Sequence, residues 1–233
     1  GRSMYTTAII AAGGSGTRCG GDAPKQYQCV AGRPLLEITL SQFEAAQSIT
    51  NIILVVSADR VAFMQDQLTN RFPKVRDVVA GGASRQESVA RGVRALAADA
   101  CDIVVVHDAA RPLIAPALID ACVAAATESG AAIVALPARD TIKLVRDDAW
   151  IERTLPRETV WHAQTPQAFR YELFLRALAH AEKTGFVGTD EAALLENFGE
   201  RVRVVCGEPW NIKITTPEDF KIAEAILGMH NAK

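Results

Sequence analysis

The sequence predicts an α/β fold, a mostly parallel sheet covered by helices on both faces, with a β-hairpin arm projecting from it. Three observations carry this. Short, nearly continuous apolar runs alternate with segments of helical spacing, as expected for strands that crossover helices bury on both faces. The rhythm breaks once, after Pro137, where polar and apolar residues alternate around Asp147-Asp148. And 233 residues, 49% of them apolar, suffice for one substantial core.

In order along the chain, strands are expected at Thr6–Ala11 and at residues 52–56, 77–80, 103–106 and 132–136, which are β-branched or continuously apolar. Helices are expected at 35–46, 60–68, 85–98 and 116–128. In the third of these, Val89, Val93 and Leu96 recur three or four apart, and Ser84 can cap the helix. From 140 to 161, Thr141 to Val145 alternates, turns at Asp147-Asp148, and returns through Trp150 to Thr154 as a hairpin. Helices at 171–182 and 190–197, a strand at 202–206 and a helix at 217–227 close the domain. The reading is one domain over 4–230, with 138–164 as a dimerisation arm and residues 1–3 as an expression remnant. An arm carrying Trp150, Ile151 and Trp161 leaves apolar surface exposed unless a second copy covers it.

Composition excludes several classes. A net charge of −2 gives no reason to expect nucleic acid or anionic membrane as a partner. The longest apolar runs are too short to cross a bilayer, and no signal segment opens the chain, so a cytoplasmic protein is expected. Cys19, Cys29, Cys101, Cys122 and Cys206 are scattered, with no C-x-x-C pair, which argues against zinc or a disulfide framework. They read as reduced thiols, with Cys19, beside Arg18, the one to watch.

Ligands of parallel sheets bind beyond the carboxyl ends of the strands. The unusual residues sit in those loops. Ala11, Ala12, Gly13, Gly14, Ser15 and Gly16 let backbone N–H groups approach a phosphate chain, with Arg18 and Lys25 supplying cationic hydrogen bonds. This is not the dinucleotide fingerprint, which needs glycine where Cys19 stands, and a dehydrogenase is set aside on that ground. Nor is it the Walker loop, since Asp22-Ala23 follows Gly21.

A second turn, Gly81-Gly82-Ala83-Ser84, permits close approach to a base or ribose, and Ser88 offers a hydroxyl; alone it reads equally as a capped helix start. A third, His107-Asp108-Ala109-Ala110-Arg111-Pro112, puts a carboxylate at a strand end, where it suits Mg²⁺, another divalent cation or a substrate hydroxyl. The alternative is a structural Asp–Arg pair. His107 reads as a hydrogen-bonded structural residue rather than a base. Asp140-Thr141, Gln164-Thr165-Pro166-Gln167, Thr189-Asp190-Glu191-Ala192 and Asn211-Ile212-Lys213 complete the set.

In this order the motifs resemble those of the 2-C-methyl-D-erythritol 4-phosphate cytidylyltransferases, over about residues 6–227. The resemblance implies a doubly wound, Rossmann-like nucleotidyltransferase sheet, a CTP- and Mg²⁺-dependent reaction, and a homodimer built through the arm. By motif match, Arg18 and Lys25 would stabilise charge developing on the α-phosphate. Residues 11–16 would wrap the nucleotide, with Gly82, Ala83, Ser88, Asp108 and Ala109 also against it. Asp108, Arg111, Thr141, Thr165 and Thr189 would contact the acceptor. Arg157 and Lys213 would position its attacking phosphate, with Arg157 reaching a neighbouring subunit's site.

Two departures bear on the acceptor. Gly14-Ser15 occupies a single variable place of the family loop, an expansion similar to that of ribitol-5-phosphate cytidylyltransferases, and Ala83 stands where an acidic residue can occur. D-ribitol 5-phosphate is therefore the alternative acceptor. A non-catalytic nucleotide-binding domain is the alternative of another class. The expected chemistry is in-line attack by an already ionised phosphate on the α-phosphorus of CTP. It needs positioning and charge neutralisation rather than a protein base.

Overall fold

The computed structural model describes residues 4–13, 24–96 and 101–231 of the chain. Gly14, Ser15, Gly16, Arg18 and Cys19 lie outside the described residues.

The main sheet is built from β1 (Thr6–Ala11), β4 (Asn51–Val56), β5 (Val75–Ala80), β6 (Ile103–Asp108), β7 (Ala131–Pro137), β10 (Trp161–Arg170) and β11 (Arg203–Cys206). Two-stranded ribbons form from β2 (Cys29–Val30) with β3 (Arg33–Pro34), and from β8 (Lys143–Val145) with β9 (Ile151–Thr154). The helices are α1 (Leu35–Ala45), α2 (Val61–Leu68), α3 (Arg85–Arg94), α4 (Pro116–Ser129), α5 (Tyr171–Thr184), α6 (Glu191–Asn197) and α7 (Pro217–Asn231). The β8–β9 hairpin is the projecting arm.

Strand order is β11-β7-β10-β6-β1-β4-β5, and only β10 runs antiparallel to its neighbours. The period-2 alternation of strands explains the two layers. Ala8, Ile10, Ile52 and Leu54 point to one face and pack with α1, α2 and α4; Ile9, Ile53 and Val55 point to the other and meet α3, α5 and α6. That is a doubly wound sheet. Chain order runs from β1 outward through β4 and β5, then returns to β6 on the other side of β1. The switch point therefore lies between the carboxyl ends of β1 and β6, where a crevice opens in such sheets. Ala11 and Asp108 are paired there across the ladder.

The sequence expectation is corrected at β10. Residues 161–164, expected in the arm, pair with β7 within the main sheet, through Trp161 opposite Pro137 and Ala163 opposite Ala135. Pro166 and two glutamines disguised this strand, because proline cannot donate to a ladder. A register shift between Ala163 and Gln167 takes up Pro166. Buried Gln167 is satisfied by its own contacts: its amide donates to Gln164 O and Asp190 Oδ2, and its carbonyl accepts from Ala192 N. Smaller differences follow ordinary end effects: β6 runs on to include His107 and Asp108, and α3 ends at Arg94.

Helix α3 packs against β1, β4 and β5 on one face of the sheet. It lies so close that a Cβ on Gly92 would come within 2.7 Å of Ile9 Cγ2 and 2.9 Å of Val55 Cγ2. Gly92→Val is expected to lower unfolding free energy by about 1–3 kcal/mol through overpacking, read by denaturant or thermal unfolding. Ser84 caps the helix as expected, its hydroxyl accepting from Glu87 N at 3.1 Å. Among the described residues, no helix is long and apolar enough to cross a membrane.

Candidate active site

At the switch point two cavities meet. The first, about 410 Å³, is lined by the end of β1 (Ala11, Ala12, Gly13), the turn at Lys25 and Gln26, the α3 entry (Gly82, Ala83, Ser84, Arg85, Ser88), Asp108 to Ala110, and Lys213. Its walls are locally fixed. Buried Gln26 donates to Ala12 O at 2.8 Å, tying the Lys25 turn to the loop after β1. Ser88 Oγ accepts from Gly82 N at 3.0 Å and donates to Ser84 O at 2.9 Å. A Cβ on Gly81 would come within 2.8 Å of that oxygen, so the turn needs glycine there.

The second cavity, about 290 Å³, is lined by Arg85, Asp108, Arg111, Ala163, Gln164, Thr165, Gln167, Thr189, Asp190 and Lys213. It shares Arg85, Asp108 and Lys213 with the first. The shared wall is a charge cluster. Asp108 Oδ1 accepts from Arg85 Nη2 at 2.9 Å and Nε at 3.1 Å, while Oδ2 lies 3.3 Å from Lys213 Nζ and 3.6 Å from Arg111 Nε. Burial alone would push the Asp108 carboxyl up. Arg85, Lys213 and Arg111 together outweigh burial and hold it well below the ordinary carboxylate range.

Sequence reasoning missed Arg85 and Glu191 as members of this cluster. Arg85 Nη1 reaches Glu191 Oε1 at 2.6 Å and Oε2 at 2.9 Å, and Glu191 is only 2% exposed. Burial pushes the Glu191 carboxyl up against the pull of Arg85. One signal was available. A cation on the first residue of a helix opposes the helix dipole, so Arg85 needed a compensating partner. Nothing in the sequence said which carboxylate that would be.

His107 has the structural role expected of it. It is fully buried against Phe43, and its Nε2 faces Arg111 O at 2.9 Å, which requires Nε2–H to donate. Nδ1 then accepts from Thr165 Oγ1 at 2.9 Å, and the same hydroxyl accepts from Asp108 N at 3.1 Å. Burial chiefly depresses the imidazole to about 4, against an ordinary 6.5. The unfolded chain therefore binds the extra proton between these values, so stability is complete above pH 6.5 and is lost as pH falls toward 4. The gap corresponds to roughly 3 kcal/mol. Denaturant unfolding should weaken by about that much over this window on account of His107, and its imidazole resonances should remain those of the neutral ring at pH 5.

The other expected residues divide. Thr165 and Thr189 line the second cavity, but Thr165 already spends its hydroxyl on His107 and Asp108. Arg111 is held by donating to Asn211 O at 2.7 Å, and buried Asn211 is tied to Gln164 Oε1 and Thr165 O. Thr141 and Arg157 lie in the exposed arm and line neither cavity. Arg157 donates instead to Arg139 O at 2.7 Å. Among the described residues, no group of three His, Cys, Asp or Glu stands ready to hold a metal. Both oxygens of Asp108 face cations.

A mostly parallel sheet whose switch-point cleft gathers Arg85, Arg111 and Lys213 where two cavities join has the architecture of a nucleotidyltransferase, and its similarity to known proteins agrees. The family model for 2-C-methyl-D-erythritol 4-phosphate cytidylyltransferase matches residues 6–229. Two proteins of that name, from Geobacter metallireducens and Geotalea uraniireducens, are each 44% identical over 228 and 233 residues, covering 96% and 99% of this chain and 98% and 100% of theirs. The structure is also similar to the crystal structure of 4-diphosphocytidyl-2C-methyl-D-erythritol synthase from Anaerococcus prevotii, with a TM-score of 0.86 and 36% identity over 97% of both chains. A Thermus thermophilus 2-C-methyl-D-erythritol 4-phosphate cytidylyltransferase matches at TM-score 0.74 and 34% identity, over 96% of this chain and 98% of that one. The chain belongs to the 2-C-methyl-D-erythritol 4-phosphate cytidylyltransferase family.

Proposed function

We infer that the chain transfers the cytidylyl group of CTP to 2-C-methyl-D-erythritol 4-phosphate, giving 4-diphosphocytidyl-2-C-methyl-D-erythritol and pyrophosphate. The observation that carries this, beside family membership, is the pair of cavities joined at Asp108 and Lys213. CTP takes the first, its base and ribose against Gly82, Ala83 and Ser88 and its phosphates toward Lys25 and the loop after β1. The polyol phosphate takes the second, between Arg111, Thr165 and Thr189. A phosphate oxygen of the acceptor attacks the α-phosphorus, the bond to the β-phosphate oxygen breaks, and pyrophosphate leaves.

The acceptor phosphate is ionised near neutral pH and needs no base, in keeping with a His107 whose two ring nitrogens are both engaged. Lys213 and Lys25, with Arg18, balance charge as it moves from the α-phosphate to the leaving pyrophosphate. A divalent ion such as Mg²⁺ would be held by Asp108 together with the triphosphate oxygens and would supply neutralisation of part of that charge. We also assign the arm to a homodimer contact. Trp150 is 74% and Ile151 61% exposed there, an apolar patch that a second copy would bury, bringing Arg157 to the neighbouring acceptor site. Sedimentation should give a dimer mass; a monomer at every concentration refutes the contact.

Pyrophosphate release is to be measured with CTP and Mg²⁺ on 2-C-methyl-D-erythritol 4-phosphate against D-ribitol 5-phosphate. Strong preference for the first is expected. Preference for the second would move the protein to another polyol, and silence with both would leave a nucleotide-binding domain without turnover.

A further inference from the structure

The N-terminal turn of α3 does two things at once. Its approach, from Gly82 to Ser84, forms part of the first cavity together with Arg85, and the side chains of Arg85 and Gln86 reach across to residues 186–191 at the start of α6. Gln86 Nε2 donates to Phe186 O at 3.1 Å, and Gln86 Oε1 accepts from Gly188 N at 3.0 Å. One side-chain amide thus closes a two-bond bridge on a loop that has no regular structure of its own. Immediately after Gly188 comes Thr189, at the lip of the second cavity. The loop is also tightly bent, since a Cβ on Gly188 would come within 2.8 Å of Asp190 O. Arg85, gripping Glu191, fixes the far end of the same segment.

We propose that Gln86 is a positioning residue for acceptor recognition: it holds the 186–189 loop so that Thr189 meets the acceptor, without itself touching either substrate. Its backbone-directed bonds fix where the loop lies, and Thr189 is the one residue of that loop lining the second cavity. The side chain of Gln86 points away from the nucleotide cavity, so its removal should leave CTP recognition nearly intact. The inference rests on the reading that the second cavity takes the acceptor.

The test compares wild type, Gln86→Met, Thr189→Val and the double variant in steady-state pyrophosphate release, with thermal unfolding alongside. Methionine keeps the volume of Gln86 and removes both bonds. Gln86→Met should raise KM for 2-C-methyl-D-erythritol 4-phosphate about 10-fold and leave KM for CTP within about two-fold. If Gln86 acts through Thr189, the double variant should cost no more in acceptor KM than Thr189→Val alone, because residues acting as one unit are not additive. Independent, multiplying effects would overturn the proposal, as would an equal rise in both KM values or no change in acceptor KM. Wild-type turnover with the acceptor is measured in the same series. Its absence would bring down the functional reading itself, a result separate from failure of the Gln86 assignment.

Discussion

Lys213→Ala is expected to lower kcat about 10²–10³-fold while changing the KM for CTP far less. Lys213 stands where both cavities open, 3.3 Å from Asp108, with its side chain partly exposed to the space the reacting phosphates would fill. In the free enzyme its charge is answered by Asp108. When an acceptor phosphate approaches the α-phosphorus, negative charge gathers at the junction, and a fixed cation there is worth more than in the ground state. Removing one such preorganised group typically costs this factor. The loss should appear in kcat and kcat/KM together, the signature of an interaction made mainly in the transition state. Lys25→Ala should show the same split. Loss of CTP affinity with kcat unchanged would instead make these lysines simple binding groups.

The sheet was legible because its strands carry the information locally. β1, β4 and β6 are apolar runs of the right length, and the alternation with helices left one sensible architecture. β10 was not legible, because its fit depends on β6 and β7 lying on either side of Pro166 and on Gln167 finding Asp190 and Ala192. The site divides in the same way. Asp108, Lys25 and Lys213 could be picked out since each stands in a distinctive motif at a strand end or turn. Arg85 and Glu191 lie 106 positions apart, and their pairing exists only once α3 and α6 are packed on one face of the sheet. Thr165 carries the opposite lesson. Its motif draws attention to it and the structure puts it in the lining of the second cavity, yet its hydroxyl is engaged by His107 and Asp108, a use that no spacing in the sequence reveals.

Arg85→Met should be the most destabilising single change in the site, by about 3–5 kcal/mol, because it strands a buried charge. Arg85 answers two carboxylates at once: Glu191, 2% exposed, through both its oxygens, and Asp108 through Oδ1. Asp108 keeps Lys213 and Arg111 when Arg85 is lost, so most of the penalty falls on Glu191. Glu191 must then either stay charged without its partner or take up a proton in a site that offers the neutral acid little. In a chain of this size each kcal/mol moves the thermal midpoint by about 2–4 °C, so a fall on the order of 10 °C is expected. The double variant Arg85→Met/Glu191→Met separates charge stranding from loss of packing. If stranding dominates, removing the second charge should recover most of the stability, as replacing a whole buried pair often does. Turnover should stay low in both variants, because Asp108 loses the guanidinium that fixes its Oδ1 and is left to be drawn toward Lys213. A double variant as unstable as the single one would show that Arg85 matters for its packing against α6 rather than for its charge.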